Sequence, residues 1–274
     1  MTAQPLKKVG SLYNEIIDTS FAPNRPNEMF LARWKRELNK CANLNEDKAA
    51  SYMGLSVIGS IEGNHNAVVE NGEKSLRWGG YSCEHVLSYS TSLSNAGYYE
   101  ESARLLLENL YRFPDELTYL KATIIHSFAT GRVYQSRDLF TIWNKLSPDQ
   151  KHPLEDSYKK TAEIAKERGL NEKDIVKHFS FVEEFIRSNA TCETDLYHIW
   201  SEQILYLEDG EDNCVVGEYY VQVSDEEIAQ LEHLLADKEV EAGFSNDQLN
   251  TFVFVIKPYC KERKEERFRC QSVA

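Results

Sequence analysis

Between Pro26 and Leu44 the chain reads PNEMFLARWKRELNKCANL, and Phe30, Trp34, Leu38 and Cys41 recur three or four residues apart. That spacing places all four on one face of a helix. Helical patterning continues to about residue 200, interrupted by short polar punctuation. The stretch NAGYYEESARLLLENLYRFPDE (95–116) shows its form: Gly97 opens the helical run and Pro114 closes it. A glycine allows the positive φ of a tight turn between helices, and a proline cannot continue a helix.

Both marks return along the chain. Gly63, Gly97 and Gly131 are 34 residues apart, and Pro114 and Pro148 each lie seventeen residues after their glycine, with Gly80 at that place in the first copy. The spacing predicts antiparallel helical hairpins over 49–82, 83–116 and 117–150, each too small to bury its apolar face unless neighbours stack. A helix-turn-helix unit of this length resembles the tetratricopeptide repeat. The small residue expected five after the glycine is Val68, Ser102 and Ser136, and the one expected seven before it is Ser56, Ser90 and Ile124. The large aromatic expected eleven before it is Tyr52, Val86 and Leu120, so the period is kept more closely than the consensus. A degenerate copy is expected around Phe30–Cys41, and a further hairpin around Gly169, where the period has slipped by four residues.

After residue 200 the pattern turns to alternation. ILYL (204–207) and CVVGEYYVQV (214–223) read as two strands of a hairpin around EDGEDN. Ser224 and Glu227 have the spacing of a capping box, opening a helix to about Asp237 with Ile228, Leu231, Leu234 and Leu235 on its apolar stripe. TFVFVI (251–256) is apolar on both faces, which marks it as the central strand. The expected fold is mainly α: tetratricopeptide-like stacked hairpins over 1–200, then a small acidic α+β module of strand, strand, helix and strand over 201–274, ending in a mixed-charge tail.

With 42% hydrophobic and 27% charged residues, the 274-residue chain has the composition of a folded protein with a core. No apolar run approaches a membrane span, the N-terminal stretch does not read as a secretory signal, and six scattered cysteines do not form a disulfide scaffold. These features point to the cytoplasm. The net charge of −13 is uneven: residues 205–243 carry twelve acids against Lys238, a net of −11, and residues 244–274 carry a net of +2. Such a balance argues against general nucleic-acid binding, which wants a basic face.

Catalytic and metal signatures are weak. Cys192 and His198 are six residues apart, Cys260 and Cys270 ten, and no Cys-x-x-Cys or His-x-x-x-His occurs. EDGEDN lacks the ordered ligand pattern of a calcium loop. Cys83 and His85 follow Gly79 and Gly80 in RWGGYSCEH, where a helix connection explains the glycines as well as a nucleophile would. No phosphate-binding glycine loop is present. The expectation is a protein that is not an enzyme and needs no cofactor or metal.

The resemblance implies a partner: tetratricopeptide arrays bind peptides or protein segments in the groove lined by each repeat's first helix. Carried over repeat by repeat, that groove comprises Met53, Val57 and Ile61, then Glu84, Leu87, Thr91 and Asn95, then Lys121, Ile125 and Phe128. The apolar members equally suit a core between repeats. The competing expectation is an immunity protein, antitoxin or inhibitor that captures a basic partner through an acidic docking face at Glu208, Asp209, Glu211 and Asp212. In both cases the expected partner is another protein or peptide segment, with no direct nucleic acid and no membrane.

Overall fold

The computed structural model describes residues 5–20, 27–43, 48–189, 200–207, 214–221 and 223–258. The fold is mainly α, with a small α+β module at its C-terminal end. Four helix pairs come first: α1 (Pro5–Ser20) with α2 (Glu28–Ala42), α3 (Lys48–Ile61) with α4 (His65–Gly79), α5 (Cys83–Asn95) with α6 (Tyr99–Asn109), and α7 (Leu117–Ala129) with α8 (Val133–Leu146). Each pair packs on itself, and α2, α4 and α6 pack on the first helix of the next pair. The first helices α1, α3, α5 and α7 also touch one another in sequence, forming a row. No strand occurs among the described residues between 48 and 189.

The expected glycines sit at the hairpin turns. Gly63, Gly97 and Gly131 adopt φ of 65°, 82° and 78° between the helices of successive pairs. This left-handed region strains any residue with a Cβ. Seven residues before and five after each glycine, the facing positions meet across the hairpin. Ser56 Oγ donates to the Val68 carbonyl (3.0 Å), Ser102 Oγ to the Ser90 carbonyl (2.9 Å) and Ser136 Oγ to the Ile124 carbonyl (3.4 Å). Small side chains let the two helices approach, and the hydroxyls find acceptors without leaving the hairpin.

The regular stacking ends after α9 (Glu155–Glu167), which packs on α8. Gly169, with φ of 67°, turns the chain into α10 (Glu172–Asn189). Rather than extending the row, α10 lies across the hairpin turns of the two preceding pairs. Its Glu172 carboxylate accepts from Tyr134 N and Gln135 N at the start of α8, both at 2.8 Å. Eleven residues on, about three helical turns, Glu183 accepts from Glu100 N at the start of α6 at 3.2 Å. Neither α6 nor α8 has a side-chain cap of its own, whereas α4, beyond this strap, is capped by Asn64. Between the two acids, Phe179 lies so near Gly131 that a Cβ there would come within 2.8 Å of its ring.

The C-terminal module is a three-stranded sheet in the order β1 (Trp200–Leu207), β2 (Cys214–Val221), β3 (Phe252–Pro258), with α11 (Asp225–Glu241) and α12 (Asn246–Thr251) between β2 and β3. β1 and β2 are antiparallel, with an irregularity between Glu202 and Leu205, and β2 and β3 are parallel. The strand TFVFVI is therefore an edge of this sheet, not its centre. β2 is central, with every described residue after Cys214 buried. The two apolar faces of β3 are not equally buried: Phe252 and Ile256 are buried and Phe254 partly so, whereas Val253 on the opposite face is exposed. The rings of Phe252 and Phe254 meet Phe179 of α10 edge-on at 5.3 and 5.0 Å, while Ile256 N, unpaired by β2, is taken by Glu232 of α11 at 3.0 Å.

The capping box at Ser224 and Glu227 forms as expected, and α11 runs to Glu241, four residues past the expected end. Its expected stripe is split: Ile228 and Leu235 are buried, Leu231 is partly so, and Leu234 is exposed. The sheet shares its core with the helices. Val215 and Phe252 belong to one cluster with Leu120, Phe128, Phe140 and Phe179, and Tyr219, Val221 and Ile256 belong to another with Val182, Phe185 and Ile186 of α10.

Candidate functional site

The ten groove residues read from the repeat separate by exposure. Met53, Val57 and Ile61 are buried, along with every described residue from Met53 to Ile61. Phe128 is also buried, its ring stacked on Tyr158 with centroids 3.4 Å apart. Of the others, Glu84, Thr91 and Asn95 of α5 are exposed, and Leu87 of α5 and Lys121 and Ile125 of α7 are half-buried. These six share the α5–α7 part of the first-helix row, where the two helices touch and β1 abuts α7. The acidic residues Glu208, Asp209, Glu211 and Asp212 lie outside the described residues.

On the other side of the array, a cleft of about 380 Å³ opens between the second helices α4 and α6. Its lining includes Glu73, Leu76 and Arg77 from α4, Tyr89 and Leu93 from α5, and Glu101, Arg104, Leu105 and Glu108 from α6, with Tyr81 from the α4–α5 turn. Gly72, in the middle of α4, explains its depth: a Cβ there would overlap the Tyr89 ring. A mid-helix glycine costs about 1 kcal/mol relative to alanine, and here it lets the ring lie against the helix backbone. The charges are arranged in loose pairs, Arg77 with Glu73 at 3.4 Å and Arg104 with Glu108 at 3.7 Å, while Glu101 meets His65 Nε2 at 2.9 Å. Burial pushes the Tyr89 phenol above its ordinary range, and Glu73 and Glu101 push it further against the weaker opposing pull of Arg104.

The turn ends of the hairpins carry a second polar cluster. The His65 ring stacks on Tyr98 at 3.9 Å, Arg187 of α10 lies over the same tyrosine at 4.4 Å, and Arg187 donates to the Gly97 carbonyl at 3.0 Å and pairs with Glu183 at 2.9 Å. Glu100 holds Arg132, linking the α6 and α8 starts. Burial raises the Glu183 carboxyl to about 7 despite the opposing effect of Arg187 and the Glu100 amide. These groups satisfy one another, and they fasten α10 to the α5–α6 hairpin, which Glu100 and Arg132 link to the α7–α8 hairpin.

Cys83 and His85 occupy the first turn of α5, where the His85 ring Nδ1 lies 2.8 Å from Ser82 Oγ. Burial, with Glu116 and Glu84 nearby, raises the Cys83 thiol above its ordinary value. That is the opposite of the shift that makes a nucleophilic thiolate. Among the described residues no group of three or more His, Cys, Asp or Glu is placed to hold a metal ion, and no helix is long and apolar enough to cross a membrane.

Sequence reasoning assigned the first-helix face and overlooked the cleft. The available signal was a break in the repeat. At the positions equivalent to Gly72 and Tyr89, the preceding unit has Leu38 and Leu55 and the following one has Leu106 and Thr123. No protein-family model, no curated protein and no solved structure matches the chain.

Proposed function

We propose that this chain is a non-catalytic protein-binding protein of tetratricopeptide-like construction, an adaptor, chaperone or scaffold of the cytoplasm that takes a segment of a partner protein along its first-helix face. The observation that carries the reading is the α5–α7 surface: Leu87 and Ile125, half-buried, are flanked by exposed Glu84, Thr91 and Asn95 and by half-buried Lys121. Apolar anchors ringed by polar groups suit an amphipathic or extended segment. Lys121 is the single cation among the six, which disfavours a clamp for a carboxylate terminus. Neither catalysis nor a cofactor is part of this reading, nor is binding to nucleic acid or membrane.

A second reading has its own support. On α11 the exposed Asp225, Glu226, Glu227, Asp237 and Glu241 are opposed by Lys238 alone. An acidic helix surface, in a chain whose 208–212 stretch is also acidic in sequence, suits capture of a basic partner, as an immunity protein, antitoxin or inhibitor would perform it. Affinity capture with the full chain, repeated across ionic strengths, separates the two. Apolar anchoring keeps most of its affinity at high salt, and acidic capture weakens steeply.

A further inference from the structure

We infer that the cleft between α4 and α6 is a binding site for an arginine side chain presented by a partner protein. Three independent features converge there. The first is the break in the repeat. Where neighbouring units place Leu38 with Leu55 and Leu106 with Thr123, this one places Gly72 with Tyr89. The exchange removes a side chain from α4 and lays an aromatic ring against its backbone. A core needing only to be filled is served by leucine, as the next unit shows with a fully buried Leu106.

The second feature is the Tyr89 hydroxyl. The residue is 6% exposed and lines the cleft, and its hydroxyl makes no hydrogen bond among the described residues. The hydroxyl oxygen itself is not buried, so it opens onto the cleft and is available to a group bound there. Its oxygen can accept from an N–H donor.

The third feature is the sign of the surrounding charge. Glu73, Glu101 and Glu108 face the cleft against Arg77 and Arg104, leaving an excess of one negative charge. The Arg77–Glu73 and Arg104–Glu108 pairs are long and exposed, and Glu101 also meets His65 at 2.9 Å. A guanidinium fits this set in chemistry and shape. Its flat face packs on an aromatic ring, and its several N–H groups reach a phenol oxygen and carboxylates together. At the rim, the chain's own Arg112 already sits over the Tyr81 ring at 4.9 Å and the Tyr111 ring at 5.2 Å.

The inference rests on the protein-binding reading for the source of the arginine, and it adds a second contact on the face opposite the first-helix row. The test is an NMR titration of the full chain with acetyl-Gly-Arg-Gly-amide, compared with the same peptide carrying citrulline, which keeps the shape and lacks the charge. The arginine peptide is expected to shift the amides of Gly72, Tyr81, Tyr89 and Glu101 and to bind at least tenfold more tightly than the citrulline peptide. Tyr89→Phe should weaken binding severalfold with an unchanged thermal midpoint. Gly72→Ala should abolish it by forcing the ring outward, and Asp225→Asn with Glu226→Gln on α11 should leave it unchanged.

Equal binding of the two peptides would overturn the inference, as would an equal loss in the α11 variant or a stronger response at the same amides to acetyl-Gly-Glu-Gly-amide. If the cleft takes no arginine while Leu87 and Ile125 still prove necessary for capture of a partner, this inference falls and the first-helix reading stands.

Discussion

Glu183 and the backbone amide of Glu100 are 83 residues apart in sequence and 3.2 Å apart in space. This one contact summarises how the chain closes its repeat array. A helix that the sequence assigns to a further hairpin around Gly169 instead lies over the turns of the α5–α6 and α7–α8 hairpins, and its carboxylates cap two helices that have no cap of their own.

The Glu183 carboxyl, raised by burial to about 7, makes a signed prediction for pH. The folded protein holds this proton more tightly than the unfolded chain. The stabilisation is therefore complete below the ordinary carboxyl range and is lost as pH rises through about 7. Glu183→Gln keeps an acceptor for the Glu100 amide and abolishes the titration. Its stability between pH 5 and pH 8 should fall less than the wild type's, by an amount on the order of 2–3 kcal/mol. Parallel slopes in the two proteins, measured by denaturant unfolding across that range, would contradict the assignment.

His152 makes the opposite prediction. It is buried beside Phe140 and Trp143, and desolvation, helped by Lys121, lowers it to about 4. Here the unfolded chain binds the proton more readily, so the contribution is present above the ordinary histidine range and is lost as pH falls toward about 4. His152→Gln should flatten the acid limb of the stability profile between pH 6.5 and pH 4, read from the thermal midpoint. An acid limb as steep as the wild type's would place the acid sensitivity elsewhere.

Two turn glycines separate backbone strain from packing. Gly169 has φ of 67° with open space around it, whereas Gly131 has φ of 78° and faces the Phe179 ring and Ile175. Gly169→Ala should cost about 1 kcal/mol, the penalty of the left-handed region alone. Gly131→Ala should cost at least 1–2 kcal/mol more, because a packed core yields poorly to an added methyl. Equal losses in denaturant unfolding would mean that α10 does not bear on the turn.

The cross-hairpin serines form a graded series. Ser102 Oγ donates to the Ser90 carbonyl and lies 2.9 Å from Ser90 Oγ and 2.8 Å from His126 Nδ1, tying three helices together, whereas Ser136 makes a single long bond of 3.4 Å. Ser102→Ala leaves buried partners unsatisfied and should cost about 2 kcal/mol, with Ser136→Ala below 1 kcal/mol. The reverse order in unfolding experiments would show that the hydroxyls do not bind the hairpins together.

These residues also show which parts of the fold were legible in the sequence. Gly63, Gly97 and Gly131 announce their turns because positive φ is a local demand that few other residues meet. Ser224 and Glu227 announce α11 for the same reason, since a capping box is complete within four residues. The path of α10 was hidden, because Glu172 and Glu183 look like ordinary surface acids until the amides they cap, 38 and 83 residues away, are known. The TFVFVI strand misled because it is apolar on both faces like an interior strand, yet Phe252 and Phe254 pack against α10 on one face while Val253 on the other is exposed. Among the first-helix residues that the repeat register picks out, exposure was not legible in the sequence. Met53, Val57, Ile61 and Phe128 are buried, while Leu87 and Ile125 remain within reach.

Partner capture by the full chain carrying Leu87→Asp or Ile125→Asp, with the thermal midpoint of each variant measured alone, tests the protein-binding account most directly. The account predicts a loss of more than tenfold in affinity, about 2 kcal/mol for an apolar anchor, with a midpoint close to wild type. Wild-type affinity in both stable variants would contradict it and move the binding face away from the α5–α7 surface.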